Sequence, residues 1–209
     1  MLNSYLCLLK NTHPPKHPSS KIPCLLKTWL PIFTAMAFYP TKIFLIGLMG
    51  SGKSYWGRQL AFHFHYPFLD LDKGIEMAEK KTITEIFELL GEGHFRDRER
   101  HALRQLNQDY SKFVMSCGGG TPCFFDNMQW MTQTGTVIWL RPSMEILAKR
   151  LIAGKEKRPL IKNAGSENEI VGILTKLMEQ RSPFYDQSHF IVEEPYPTIE
   201  TFENLLKHA

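Results

Sequence analysis

The first 40 residues contain no aspartate or glutamate, and among basic residues they hold only Lys10, Lys16, Lys21 and Lys27. Six of the 13 prolines also fall there. The whole chain has 25 Lys and Arg against 21 Asp and Glu, so removing those four lysines leaves 21 of each sign. The formal charge of +4 therefore belongs to the N-terminal stretch, and the remainder has no basic excess of the kind a nucleic-acid binder needs. Cysteine is scarce too. Cys7, Cys24, Cys117 and Cys123 form no C-x-x-C pair and no disulfide framework, which fits a reducing, cytoplasmic setting. No run approaches the roughly 20 apolar residues that span a bilayer. Apolar pieces at residues 5–9 and 29–38 lack the order of a secretion signal. No internal repeat is present.

What is there divides the chain in two. Residues 1–40 are expected to be a poorly ordered extension, with Met36 an alternative start just ahead of the domain. Residues 41–209 alternate between strand and helix patterns. Strands are expected at 42–46, 67–70, 113–116, 137–140 and 189–192. A helix should run from Lys53 to about His65. Thr82 and Glu85 spell a capping box before a short helix ending near Gly91, and Phe95, Ala102, Leu103 and Leu106 stripe the next one. Ser143 should cap a helix carrying Ile146, Leu147 and Leu151. Ser166 with Glu169 should open another, and 198–207 a last one. Residues 154–165 read as a polar, mobile loop. Strands separated by helices imply an α/β domain whose five-stranded, mostly parallel sheet is covered on both faces.

Gly47-Leu48-Met49-Gly50-Ser51-Gly52-Lys53-Ser54 satisfies G-x-x-x-x-G-K-[ST] between a strand and a helix. A triphosphate needs backbone N–H groups brought close on a curved loop. Glycines at 47, 50 and 52 permit that curve, and the helix N-terminus adds its dipole. Lys53 would reach the β- and γ-phosphates, and the Ser54 hydroxyl would ligate Mg²⁺. Asp70-Leu71-Asp72 closes the second strand, where extended alternation would put both carboxylates on one side. A pair of turn aspartates is the bland alternative. Phe95-Arg96-Asp97-Arg98-Glu99 opens a helix, with Arg98 and Arg100 expected on its solvated face. The run Gly118-Gly119-Gly120 after a strand invites close approach of a ligand to the backbone. Arg158-Pro159-Leu160 lies in the loop, and Gln180–Tyr185 ends the long helix.

In order and spacing these six elements resemble the shikimate kinase family over Lys42 to the C-terminus. The likeness implies a three-layer P-loop fold, nucleoside-monophosphate-kinase-like, with a mobile lid, and transfer of phosphoryl from ATP to the 3-hydroxyl of shikimate in chorismate biosynthesis. Residue by residue, it implies that Asp72, Arg96, Gly118, Gly119, Gly120 and Arg181 hold shikimate. Gly50, Ser51, Gly52, Lys53, Ser54, Tyr55, Arg150, Arg158 and Pro197 would hold ATP. Ser54 and Asp70 would serve the magnesium ion, and Lys53, Asp72 and Arg158 the reaction. Tyr55 replaces the family's common threonine, and Ser116-Cys117 depart from its usual pair. The expected partners are ATP and shikimate, with no nucleic acid and no membrane, and the protein is expected to act as a monomer. The rivals are another small-molecule kinase, such as a gluconate kinase, and a non-catalytic ATP-binding module. His63, His65, His94 and His101 are expected to be packing or surface histidines, and Trp56 and Phe64 to belong to the core.

Overall fold

The structure is a computed structural model that describes residues 39–154 and 159–207. The expected extension falls almost wholly outside the described residues, as does Arg158. Among the described residues, β1 (Lys42–Ile46), β2 (Phe68–Asp70), β3 (Phe113–Ser116), β4 (Thr136–Leu140) and β5 (Phe190–Val192) form one sheet. Its order is β2-β3-β1-β4-β5, and every neighbouring pair is parallel. Parallel strands need crossovers, which are supplied by α1 (Lys53–Phe64), α2 (Leu71–Glu79), α3 (Ile83–Asp109), α4 (Asn127–Thr134), α5 (Met144–Ile152) and α6 (Glu167–Tyr185), while α7 (Ile199–Leu206) follows β5.

A strand flanked on both edges and covered on both faces has little place for polar residues, which explains why β1 and β4 are apolar after their first residues, Lys42 and Thr136. The pleat sends Phe44 and Ile46 of β1, with Val137 and Trp139 of β4, to a core under α2 through α6. Ile43, Leu45, Ile138 and Leu140 face the opposite core, closed by Leu60 of α1 and by Phe202 and Leu206 of α7. The sheet is the middle layer of three. No helix among the described residues is long and apolar enough to cross a membrane.

Local chemistry sets the helix ends. Thr82 and Glu85 form the full reciprocal capping box, an arrangement worth about 1 kcal/mol. Gly91, at φ 82° and ψ 167°, breaks the helical path of α3, so the short first run ends there as expected. Ser166 caps α6 through its hydroxyl, but the Glu169 carboxylate reaches back to the Gly165 N–H and the Ser166 hydroxyl, not to the Ser166 N–H that a reciprocal box would use. Thr198 and Thr201 build a second reciprocal box that the S/T-x-x-E/Q pattern does not describe.

Three expectations are corrected. Leu71 and Asp72 are not extended: Asp70 ends β2 and becomes the N-cap of α2, accepting Lys73 N–H, so strand alternation does not relate the two carboxylates. The stretch 159–165 is not simply a polar loop, since Pro159–Ile161 makes a 3-10 turn and Ile161 and Ala164 are buried in the larger core. Trp56 is not only core. It packs against Phe202 yet also lines a surface groove beside the glycine loop. Phe64 packs on the α1/α7 core as expected.

Candidate active site

The phosphate loop, Asp70 and the triple glycine lie at the C-terminal ends of β1, β2 and β3, and Asp72, Arg96 and Arg181 reach that edge from α2, α3 and α6. That edge is where an open α/β sheet presents its ligand-binding residues. The loop after β1 shows why its glycines are needed. Gly47, Gly50 and Gly52 have φ of 143°, 79° and 97°, in the left-handed region that residues with a Cβ avoid. A Cβ on Gly47 would also fall 2.5 Å from the Leu140 carbonyl oxygen.

Lys53 opens α1, and its ammonium donates to the carbonyls of Gly47 and Leu48, each at 2.9 Å. Desolvation pulls its pKa from 10.5 down to about 8, against the opposing pull of the Asp72 and, more weakly, Asp70 carboxylates. Asp72 shows the complementary effect. Burial, then the neighbouring charges of Glu99 and Asp70, raise its carboxyl to about 6, partly offset by Lys53. Although α2 replaces the expected extended segment, Asp72 is still in electrostatic contact with Lys53 from its first turn. The Ser54 hydroxyl lies 3.2 Å from both Asp70 Oδ2 and Ser116 Oγ, a compact set of oxygens between β2 and β3.

The triple glycine meets both arginines. A Cβ on Gly120 would sit 2.7 Å from Nη1 and Nη2 of Arg96, and one on Gly119 2.7 Å from Nη1 of Arg181. On Gly118 it would meet Asp72 Oδ1, Glu99 Oε1 and Thr121 Oγ1, all within 3.1 Å. The two guanidinium groups therefore converge on one turn and do not diverge into solvent. Arg96 is 12% exposed and donates to Glu99 Oε2 at 2.8 Å and to Glu92 Oε1 at 3.1 Å, with the Phe124 ring 4.0 Å from its central carbon. Arg181 lies beside Tyr185, whose hydroxyl donates to the Gly119 carbonyl. Burial pushes the Tyr185 phenol and the Cys117 thiol above their ordinary ranges, so both stay protonated at neutral pH.

Gly120→Ala is expected to displace the Arg96 fork and raise the KM for an anionic acceptor about tenfold, because one good charged hydrogen bond is worth that much. The KM for ATP should not change. Steady-state kinetics with each substrate varied in turn measures both.

Tyr55, Arg150 and Pro197, expected on the ATP side, line a groove of about 440 Å³ with Gly50, Gly52, Trp56, Pro195 and Tyr196. Arg150 donates to the carbonyls of Gly50 and Pro195, tying the loop after β5 to the phosphate loop. Tyr55 and Tyr196 are 59% and 80% exposed, so flat aromatic faces are available at the groove. Ser51 is buried behind the loop. Sequence reasoning did not single out Tyr196, although an exposed aromatic between two prolines is a legible signal. It also missed Thr121, which follows the glycines and is fully buried. Arg98 pairs with Glu79, and Arg100 pairs with Asp97, in keeping with a charged helix face. His63, His94 and His101 each face a carboxylate, and no cluster of three metal-ligating side chains occurs among the described residues.

Comparison with known proteins agrees with this geometry. The family profile of shikimate kinase matches residues 49–208. The chain is 39% identical over 150 residues to the shikimate kinase of Bacteroides fragilis, covering 72% of this chain and 83% of the relative. It is 42% identical over 166 residues to that of Azobacteroides pseudotrichonymphae, covering 79% and 97%. The crystal structure of the Bacteroides thetaiotaomicron shikimate kinase superposes with a TM-score of 0.71 at 34% identity, over 81% of this chain and 96% of the other. The Acinetobacter baumannii enzyme, solved in complex with shikimate, gives 0.69 at 31% identity, over 83% and 92%. With the phosphate loop, the D-x-D carboxylates and two arginines on a glycine turn all in one strand-end site, the chain belongs to the shikimate kinase family.

Proposed function

We propose that this protein transfers the γ-phosphoryl group of ATP to the 3-hydroxyl of shikimate, a step of chorismate and aromatic amino-acid biosynthesis. One observation carries the reading: Arg96 and Arg181 approach the same glycine turn, beside Asp72 and within the electrostatic reach of Lys53. Two guanidinium forks suit the carboxylate of a cyclic acid. Asp72 is placed to accept a hydrogen bond from a ring hydroxyl, and the glycines let the ring approach the backbone.

Phosphoryl transfer asks the protein for position and for stabilisation of spreading charge. The N–H groups of Gly50–Ser54 and the Lys53 ammonium would hold the polyphosphate, with Arg158 as the expected further cation. Asp72 orients the attacking hydroxyl and takes its proton late, when the alcohol has become acidic. Ser54 and Asp70 fit Mg²⁺: they are hard oxygen donors held 3.2 Å apart, and this ion takes few protein ligands where phosphates and water complete its shell. When bound, it neutralises charge on the phosphates. The base would lie in the groove between Arg150 and Pro197, against Tyr55. Cys117 and Cys123 are free thiols, in keeping with a reducing cytoplasmic setting, and we read the protein as a monomer.

A coupled assay with ATP and shikimate tests the activity directly, with gluconate as the control acceptor. Arg96→Ala and Arg181→Ala should each cost roughly 2 kcal/mol or more of shikimate affinity, about thirtyfold, because each leaves a partly desolvated charge without its partner. Nucleotide affinity should hold. Calorimetric titration of both ligands checks this, and unchanged shikimate affinity in both variants would remove the acceptor assignment.

A further inference from the structure

Glu99 is completely buried, and a carboxylate in that position is tolerable only when its oxygens are satisfied. Oε2 accepts from Nη1 of Arg96 at 2.8 Å. Oε1 accepts from the hydroxyl of Thr121 at 2.5 Å. Thr121, also fully buried, is fixed through its backbone as well. Its N–H donates to the Gly118 carbonyl at 3.1 Å, closing the glycine turn, and its carbonyl accepts from Asn127 Nδ2 at 3.0 Å. Asn127 is buried and accepts from Arg104 through its Oδ1, which ties the turn to α3 a second time.

We propose that Thr121 is a positioning residue for acceptor binding: its hydroxyl sets the Glu99 carboxylate, and Glu99 in turn sets the Arg96 fork. This rests on the reading of Arg96 as a shikimate ligand. The space beside Gly118 explains why a hydroxyl is needed. Thr121 Oγ1, Glu99 Oε1 and Asp72 Oδ1 all border it, so two carboxylate oxygens approach each other there with the hydroxyl alongside. Without that donor, Glu99 Oε1 faces Asp72 and apolar surroundings unpartnered. Glu99 then turns away, and Arg96 follows it.

The hydroxyl and the methyl of Thr121 can be separated. Thr121→Val keeps the shape and loses the donor, whereas Thr121→Ser keeps the donor and loses the methyl. With the full-length protein, Thr121→Val is expected to raise the shikimate KM and Kd about tenfold, the scale of a hydrogen bond to a buried charge. Its kcat and its KM for ATP should stay within about twofold of wild type, a change too small to count as a lost contact of that strength. Thr121→Ser should bind shikimate nearly as wild type does. Thr121→Ala provides a second hydroxyl-free protein should valine strain the turn, and is expected to behave as Thr121→Val. The reverse order, with valine near wild type and serine impaired, means that Thr121 merely fills space and overturns the inference. So does equal shikimate affinity in all variants. A wild-type chain that neither binds nor phosphorylates shikimate overturns the acceptor reading and this inference with it, whereas normal wild-type activity confines any failure to Thr121.

Discussion

Lys53→Met should lower turnover by ~10²-fold or more while leaving the protein folded, the scale expected when one preorganised charge-stabilising group is lost. Methionine keeps the length and apolar stem of the side chain but removes its charge and its donation to the Gly47 and Leu48 carbonyls. Stability should move the other way at neutral pH. The native ammonium has a pKa of about 8 against 10.5 in the unfolded chain, so below pH 8 the fold holds a charge its surroundings disfavour. Between pH 8 and 10.5 the unfolded chain binds more protons, and wild-type stability should rise with pH across that window. Lys53→Met lacks this dependence. A melting temperature at pH 7 equal to or above wild type, together with collapsed turnover, would separate loss of chemistry from loss of structure. Near-normal turnover would contradict the role of Lys53. The same pKa predicts that wild-type affinity for ATP weakens above pH 8, as the free enzyme loses that positive charge.

Lys53 also illustrates what can be read from the sequence. The phosphate loop was legible because its demand is local: a curve of backbone N–H groups needs glycines at fixed offsets, and the strand and helix around it are written in adjacent residues. The central strands were legible for a similar reason, since burial on both faces leaves unbroken apolar runs at 43–46 and 137–140. Asp72 was found on a mistaken argument. Asp70 can end a strand or cap a helix, and the second use prevailed because its carboxylate satisfies Lys73 N–H at the start of α2. The helix α2 is hidden because its cap, Asp70, also ends a strand, and α4 because Asp126 at its head makes no side-chain capping bond.

The meeting of Arg96 with Arg181 was not a property of either segment. They are 85 positions apart in the chain, and what joins them is the crossover that lays α3 and α6 on either side of the turn after β3. The family resemblance supplied that proximity where periodicity could not. Thr121 and Glu99 show the limit most clearly. A buried hydroxyl–carboxylate pair separated by 22 residues leaves no mark in any local pattern, and only packing reveals that it lies against Arg96.

Asp72→Asn should have the larger effect on the reaction, a fall of about 10³-fold in turnover, within the range for a positioned acid–base group. Asparagine is nearly isosteric, so shikimate should still bind, but its amide cannot take the hydroxyl proton and offers a donor where an acceptor is needed. The pH profile gives the sharper test. Burial and the Glu99 charge place the Asp72 carboxyl at about 6 in the free enzyme, so kcat/KM for shikimate should fall as pH drops through 6. That acid limb should be absent from the residual activity of Asp72→Asn. Stability again runs opposite to function. Between pH 3.8 and 6 the native state binds a proton that the unfolded chain has released, so this group's contribution is present below 3.8 and is lost as pH rises through 6. At neutral pH the wild type therefore carries an ionised carboxylate against both burial and the repulsion of Glu99 and Asp70. Asp72→Asn should melt higher than wild type at pH 7, and the gap should close toward pH 4. An enzyme that keeps its turnover and its acid limb after this substitution would rule Asp72 out as the group that takes the hydroxyl proton.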